Sequence, residues 1–440
     1  MSDIEWLQPL LAVAPISEPH PASMLPFAML LLSIAVMPFI NKEWWHHHYP
    51  KVSIALGAIT TAYYVFVLGS GARMVHVAHE YVSFMALIGS LFIVSGGIHI
   101  RVPGRAKPGF NCLFLFVGAV LANLIGTTGA SMLLIRPWLG MNRSRVSAFH
   151  IVFFIFVVSN VGGCLTPIGD PPLFLGYIKG VPFWWVLKGC WEAWLIGVTA
   201  LIAMFYLFDR GSYSRDEKGD LEDTAGSGTW AIEGLRNVSW LGVVLGAVFI
   251  KTPLGLSELV MAGAAIASWL GTPKRLHEAN QFNFEPIREV AWLFAGIFAT
   301  MVPALDYLES HAAELGLNTS MKLYWLTGLL SGALDNAPTY LTFLAAAMGR
   351  QHLSLNEPAD VRMFAAQHDH ELVAISLGAV FFGAMTYIGN GPNFMVKAIS
   401  EQAGVPTPGF FAYLFKFALP ILAPVLGLIA LLYFSRWRVF

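Results

Sequence analysis

Residues 160–176 read NVGGCLTPIGDPPLFLG. Before them runs FHIVFFIFVVS, ending at 159. After a short polar break, VPFWWVLKGCWEAWLIGVTALIAMFYLF begins at 181. Glycines, prolines, an asparagine and an aspartate between such runs fit one of two structures. One is a solvent loop joining two short helices; the other is a helix broken inside a membrane. The solvent loop leaves flanking runs too short for a hydrocarbon core that takes about 20 apolar residues to cross. The broken helix is the reading carried forward.

Composition supports a membrane setting. The 440 residues are 56% hydrophobic and 12% charged, against about 25% charged in soluble domains. Repeated apolar runs then imply an all-α polytopic membrane protein. The net charge of −1 offers no basic face to nucleic acid. Cys112, Cys164 and Cys190 have no paired spacing and do not read as disulfides or a metal site. The segment 1–23 is acidic, lacks the basic start of a signal peptide, and is expected outside the cytoplasm. The run His46–His48 sits in what reads as a solvated surface loop.

Spans are expected near 24–40, 51–69 and 81–100. A long stretch, 109–139, is interrupted at LIGTTGAS. A span from 146 reaches the broken segment, and 182–208 follows. The polar stretch 209–237 reads as a linker. Beyond it come 238–252, 257–271 and 288–306, an interrupted stretch at 322–349 with GALDNAPTYLTF, a span at 371–399 broken at YIGNGPN, and 410–434. The two halves, 24–208 and 238–435, follow one order: three spans, an interrupted stretch, a broken span and a final span, about 10 membrane helices plus two hairpins. IGDPPLF (168–174) aligns with IGNGPNF (388–394) at Ile, Gly, Pro and Phe.

Lys and Arg orient the chain. Arg101, Arg105 and Lys107 precede 109–139, and Arg136, Arg143 and Arg145 follow it; Lys274, Arg275 and Arg288 lie before the last span of the second trio. Both flanks of 109–139 stay cytoplasmic only if that stretch is a re-entrant hairpin. The same logic places the linker inside and opens the hairpin 322–349 to the outside, so the repeat is inverted. It also puts the C-terminus outside despite Arg436 and Arg438. Inverted repeats with discontinuous helices are the signature of secondary transporters.

Irregular backbone is tolerated at membrane depth where it lines protein or a water-filled cavity. Pro171 and Pro172 disfavour helix, while Gly162, Gly163 and Gly169 permit unusual backbone angles. Asp170 puts a charge where one is expensive, which marks a functional site. Four breaks are expected to meet near the midplane. The first hairpin tip offers Asn123, Thr127, Thr128 and Ser131; the first broken helix offers Asn160, Thr166 and Asp170. The second tip offers Asp335, Asn336 and Thr339; the second broken helix offers Thr386, Asn390 and Asn393. These hard oxygen donors suit Na⁺. Asp170 and Asp335 are the expected metal-ion ligands, with Asn336 sharing the cation. Thr127, Ser131 and Thr386 also fit simple packing hydroxyls. Elsewhere, Glu192 fits a pair with Lys188 one turn away. His99 and His150 read as interfacial, and Glu258 and Glu289 as boundary charges.

These hairpins and broken helices resemble the ion transporter superfamily, which includes NhaD-type sodium:proton antiporters, citrate–metal and divalent-anion symporters, and arsenite permeases. GGCLTPIGDPP resembles its GG…T.IG.PP signature, and the likeness runs over about residues 24 to 435. Citrate-transporter-like sequences and sodium:proton antiporters look most similar. The Ser-Asn-Thr tips of divalent-anion symporters are missing here, and the second tip's Asp-Asn-x-Pro resembles NhaD-type hairpins instead. The resemblance implies an elevator in which hairpins and broken helices move against a dimerising scaffold.

The expected function is a Na⁺(Li⁺)/H⁺ antiporter: one carboxylate holds a proton or a cation, never both. The alternative is a Na⁺- or H⁺-coupled symporter of citrate or another anion. That needs cations or helix N-termini, and the four breaks carry no Lys or Arg; Lys397 lies about two turns past Asn390. No catalytic constellation and no cofactor is expected beyond Na⁺ or Li⁺ as cargo and H⁺ as coupling ion. The expected setting is a bacterial inner membrane.

Overall fold

The computed structural model describes residues 19–102, 106–216, 231–250 and 252–435. Most of the expected N-terminal segment 1–23, Arg105, Arg436, Arg438 and the middle of the linker 209–237 fall outside the described residues. Among the described residues, seven helices are long and apolar enough to cross a membrane. The strands there are a single three-residue antiparallel pair, His99–Arg101 and Ala231–Glu233. The protein is an all-α, multi-pass membrane protein.

The helices pack in two groups. Leu25–Ile40, Lys42–Ala62, Gly71–Gly96, Arg236–Ala247, Leu256–Gly271 and Glu285–Ser310 pack on one another. Pro108–Met141, Ala148–Val157, Pro171–Lys179, Phe183–Asp216 and the elements from Ser320 onward form the other group. The groups meet where Gly71–Gly96 lies on Pro108–Met141 and where Glu285–Ser310 lies on Asn336–Gly349.

Several boundaries differ from the sequence reading. His46–His48 are helical, because Asn41 caps the next helix by accepting the Trp44 N–H at 3.0 Å. The span expected from 81 begins at Gly71, since its charged residues find buried partners. Pro358–Gln367 is a helix that the polar sequence did not suggest.

Pro108–Met141 has 34 residues; straight, it would be roughly 51 Å long. Yet the Ala106 N–H donates to the Met141 carbonyl at 2.9 Å, and the Asn111 amide to the Asn142 side-chain oxygen at 2.8 Å. The stretch is therefore a hairpin. It turns at Gly126, whose φ of 75° is a conformation glycine adopts without penalty. The second hairpin, Ser320–Ala333 with Asn336–Gly349, turns at Leu334–Asp335 in extended backbone. Arg350 closes its mouth by donating to the Leu317 carbonyl at 2.7 Å.

The mouths lie at opposite ends of Phe183–Asp216. Asn111, at the first, donates to Asp209 at 2.8 Å. Near the second, Arg350 bonds Glu371, and Trp185 donates to Ala365 just ahead of it. Trp185 and Asp209 are separated by roughly 36 Å of helix at 1.5 Å per residue.

Both broken helices share one construction. Ala148–Val157 passes through a 3₁₀ turn and a loop to Pro171–Lys179; Asp369–Phe382 does the same to reach Gly391–Gln402. The correspondence extends back from Ile168 and Ile388 to Thr166 with Thr386 and Gly163 with Gly383. Within each loop the paired glycines are pressed together. A Cβ on Gly169 would collide with the Gly163 carbonyl oxygen, and one on Gly389 with that of Gly383.

Candidate functional site

Asp170 stands where the first loop ends, as the N-cap of Pro171–Lys179. It is 1% exposed. One carboxylate oxygen accepts from the Thr127 hydroxyl at 2.6 Å and the Asn390 amide at 2.9 Å. The other accepts from the Asn336 amide at 2.6 Å. All three other breaks therefore converge on this one side chain: the first hairpin tip, the second tip and the second broken helix. The backbone is tied in as well, because the Thr127 N–H donates to the Gly169 carbonyl at 2.7 Å.

An asparagine network extends from Asp170. The Asn390 amide also lies 3.2 Å from the Asn160 side-chain oxygen and 3.1 Å from the Ser159 carbonyl. Asn160 donates to Asn393 at 2.7 Å, and Asn393 donates to the Gly383 and Thr386 carbonyls. Asn123 fastens the first loop by donating to the Gly162 carbonyl and accepting the Leu165 N–H, while Thr166 returns a bond to the Asn123 carbonyl. Thr386 does the equivalent in the second half, donating to Gly332 at 2.7 Å. Ser131 bonds Ser159.

Asp335 and Asn336 face different partners. Asp335 is half-buried and caps its helix, accepting the Ala337 N–H at 3.0 Å, with Thr339 bonded to its carbonyl. Its neighbour Asn336 turns toward Asp170 instead of sharing a ligand shell with Asp335. Asn336 and Asn390 also present amide nitrogens, where the sequence suggested oxygen ligands. An ionised carboxylate only accepts, so its neighbours turn donors toward it. Beside Asp170 lies a cavity of about 20 Å³ lined by Leu87, Ile88, Thr128 and Phe174, room for one water-sized particle.

Three helices begin at the site: Pro171–Lys179, Asn336–Gly349 and Gly391–Gln402. Their N-termini bring partial positive charge to it.

The sequence reading missed a set of buried charges. Lys179 donates to Glu80 at 2.7 Å, and Arg73 to Asp306 at 3.1 Å. Arg145 bonds Asp209, which also faces His150 at 3.2 Å. His150 is thus fully buried and paired, where an interfacial place was expected. Glu192 accepts from Tyr433 at 3.0 Å, Glu258 from Ser83, and His99 bonds Asn280. Lys397 pairs with Glu401 one turn on along its own helix. Arg73, Glu80, Lys179 and Asp209 lie between the expected spans, where charge reads as loop or linker.

A family model described as "Putative citrate transport" matches residues 17–434. An "Uncharacterized transporter" of Mycobacterium tuberculosis is 24% identical over 327 residues, covering 69% of this chain and 72% of its own. A "46 kDa membrane protein" of Mycobacterium leprae is 25% identical over 308 residues, 67% of this chain and 69% of its own. An "Uncharacterized transporter" of Synechocystis is 26% identical over 317 residues, 66% and 68% of the two chains. The chain belongs to this family of membrane transporters.

Proposed function

From membership of that transporter family, we propose that the chain exchanges Na⁺ or Li⁺ for protons, with Asp170 holding either cargo in turn. One observation carries the reading: a single buried carboxylate receives neutral donors from three other helix breaks, beside a space for one water-sized particle. A bare alkali cation suits such a space and a tricarboxylate does not. Burial penalises the charged carboxylate, so proton and metal ion compete for the same oxygens. When Na⁺ binds, Asn336 and Asn390 turn their amide oxygens toward it. Asp335, within electrostatic range of Asp170, adds to the attraction for a cation.

The two hairpins, with mouths at opposite ends of Phe183–Asp216, are read as inverted repeats that open the site to one face at a time. The helix group containing Asp170 moves against the other group, as an elevator does. This reading carries with it a bacterial cell membrane, two copies of the chain, segment 1–23 outside and linker 209–237 in the cytoplasm.

A second reading, cation-coupled symport of an organic anion such as citrate, draws on the three helix N-termini at the site. Proteoliposomes with an internal pH dye separate the two. Exchange predicts proton movement on adding Na⁺ or Li⁺, none with K⁺, and an apparent Na⁺ half-saturation that rises as pH falls. Na⁺-driven citrate uptake with no proton counterflow would establish the second reading instead.

A further inference from the structure

Among the described residues, three Arg or Lys ion pairs have both side chains less than a tenth exposed. Two of them close within one helix group. Arg145 and Asp209 join the first hairpin's mouth to Phe183–Asp216, with Asn111 and His150 on the same carboxylate. Arg73 and Asp306 join Gly71–Gly96 to Glu285–Ser310, with the Tyr64 hydroxyl donating to Asp306 at 2.8 Å. The third pair crosses between the groups. Lys179 Nζ donates to Glu80 Oε1 at 2.7 Å, and both side chains are 4% exposed.

The place of Lys179 gives this pair its meaning. It is the last residue of the nine-residue half-helix whose N-cap is Asp170. One rod thus bears the cargo carboxylate at one end and a buried cation at the other, and the cation is held by the opposite group. On the Glu80 side stand Glu80, Asp306 and, within electrostatic range of Asp306, Glu309, against one guanidinium, Arg73. Arg73 and Asp306 both act electrostatically on Lys179. Lys179 therefore balances a buried negative excess, and buried charge is tolerated when it is paired. Glu80 also has a second partner, His76, whose Nε2 lies 3.1 Å from the same oxygen and is half-exposed. Withdrawal of Lys179 leaves Glu80 with His76.

We propose that Lys179 and Glu80 are a positioning pair. They hold the Asp170 half-helix against Gly71–Gly96 in this conformation, and they part when the site passes to the other face. The strength of the pair sets how the two conformations are populated. The inference rests on the alternating motion of the proposed function and is independent of which cargo moves.

The test is made on the full chain with Cys112, Cys164 and Cys190 replaced. Ile88→Cys, in the wall of the cavity beside Asp170, reports labelling by an impermeant thiol reagent from each membrane face, with no cargo gradient. K179Q and E80Q should each change the ratio of labelling from the two faces by about fivefold or more, as a shifted two-state population requires. K179R and the exchanged pair E80K/K179E should return it to within about twofold of the parent. An unchanged ratio in both single variants, or an exchanged pair no nearer the parent than the singles, overturns the proposal. Should the single variants fail to accumulate, Glu80→Cys with Lys179→Cys is joined by a short cleavable cross-linker. Transport that stops and resumes on cleavage supports the pair's role; undiminished transport through the linked protein overturns it. If the parent moves no protons with Na⁺, the cargo assignment fails while the labelling result stands.

Discussion

The loops 163–170 and 383–390 are built alike and equipped differently. Each presses two glycines together, bonds a threonine hydroxyl to a carbonyl of a hairpin arm, and ends on a short polar N-cap before a helix. At that cap the first has Asp170 and the second has Asn390. The two side chains have nearly the same shape, and here the amide donates to the carboxylate. A symmetric frame therefore carries an asymmetric charge. Two carboxylates facing each other at this distance would repel and stay partly protonated together. One carboxylate and one amide leave a single site to be claimed by a proton or a cation.

The sharpest way to break this comparison is Asp170→Asn, which makes the two caps identical. Na⁺-driven proton movement in dye-loaded proteoliposomes should vanish altogether. Normal exchange by that variant would mean the charge asymmetry has no part in coupling. The exchanged variant D170N/N390D sharpens the point, because partial recovery would show that the frame matters more than which half carries the charge.

Next in size is the pressure between glycines. Gly169→Ala and Gly389→Ala both place a methyl against a backbone carbonyl, which has no flexible end to yield. Overpacking of this kind costs about 1–3 kcal/mol. Thermal unfolding in detergent should fall for both variants, and further for Gly169→Ala, where the approach is closer.

Loss of one donor to the carboxylate comes third. Thr127→Val and Asn336→Ala each remove one of three bonds to Asp170. Hydrogen bonds to charged groups contribute about 1.5–3 kcal/mol, so the pH dependence of exchange should move toward higher pH, as the ionised form loses support. An unmoved profile for both would show that these bonds do not set the proton's hold.

The smallest effect is expected at the second hairpin tip. Asparagine caps helices about as well as aspartate, so Asp335→Asn keeps the turn and removes its charge. Exchange should persist with Na⁺ half-saturation raised about fivefold, near 1 kcal/mol. Abolished exchange with normal folding would move the coupling carboxylate from the loop to the hairpin.

Much of the frame was visible in the chain because its signals are local. Gly and Pro mark the breaks at 162–172, basic residues mark the flanks of 109–139, and Asp170 is a charge among apolar neighbours. The hidden part depends on pairing across distance. Lys179 and Glu80 are 99 positions apart, and each alone looks like a reason to end a helix. Arg73 and Glu80 lower local hydropathy, so the span appeared to begin ten residues late, although both side chains are buried. Asp335 also caps a helix, accepting the Ala337 N–H, a role that its charge alone does not signal. Which way an asparagine amide turns is set by the group it faces, and Asn336 and Asn390 here turn their N–H groups to Asp170, an orientation that residue type alone does not signal.

The convergence on Asp170 also imposes a timetable. Asn336 follows Asp170 by 166 residues and Asn390 follows it by 220. At roughly 5–20 residues per second, the ribosome needs about 10–45 s after making the aspartate to supply its last donor. Until Asn336 is made the first loop has only Thr127 to offer, and an unaccompanied carboxylate within the bilayer is costly. The donor shell of Asp170 is therefore completed only when the second half is made, and until then a proton is the partner that can neutralise the carboxylate.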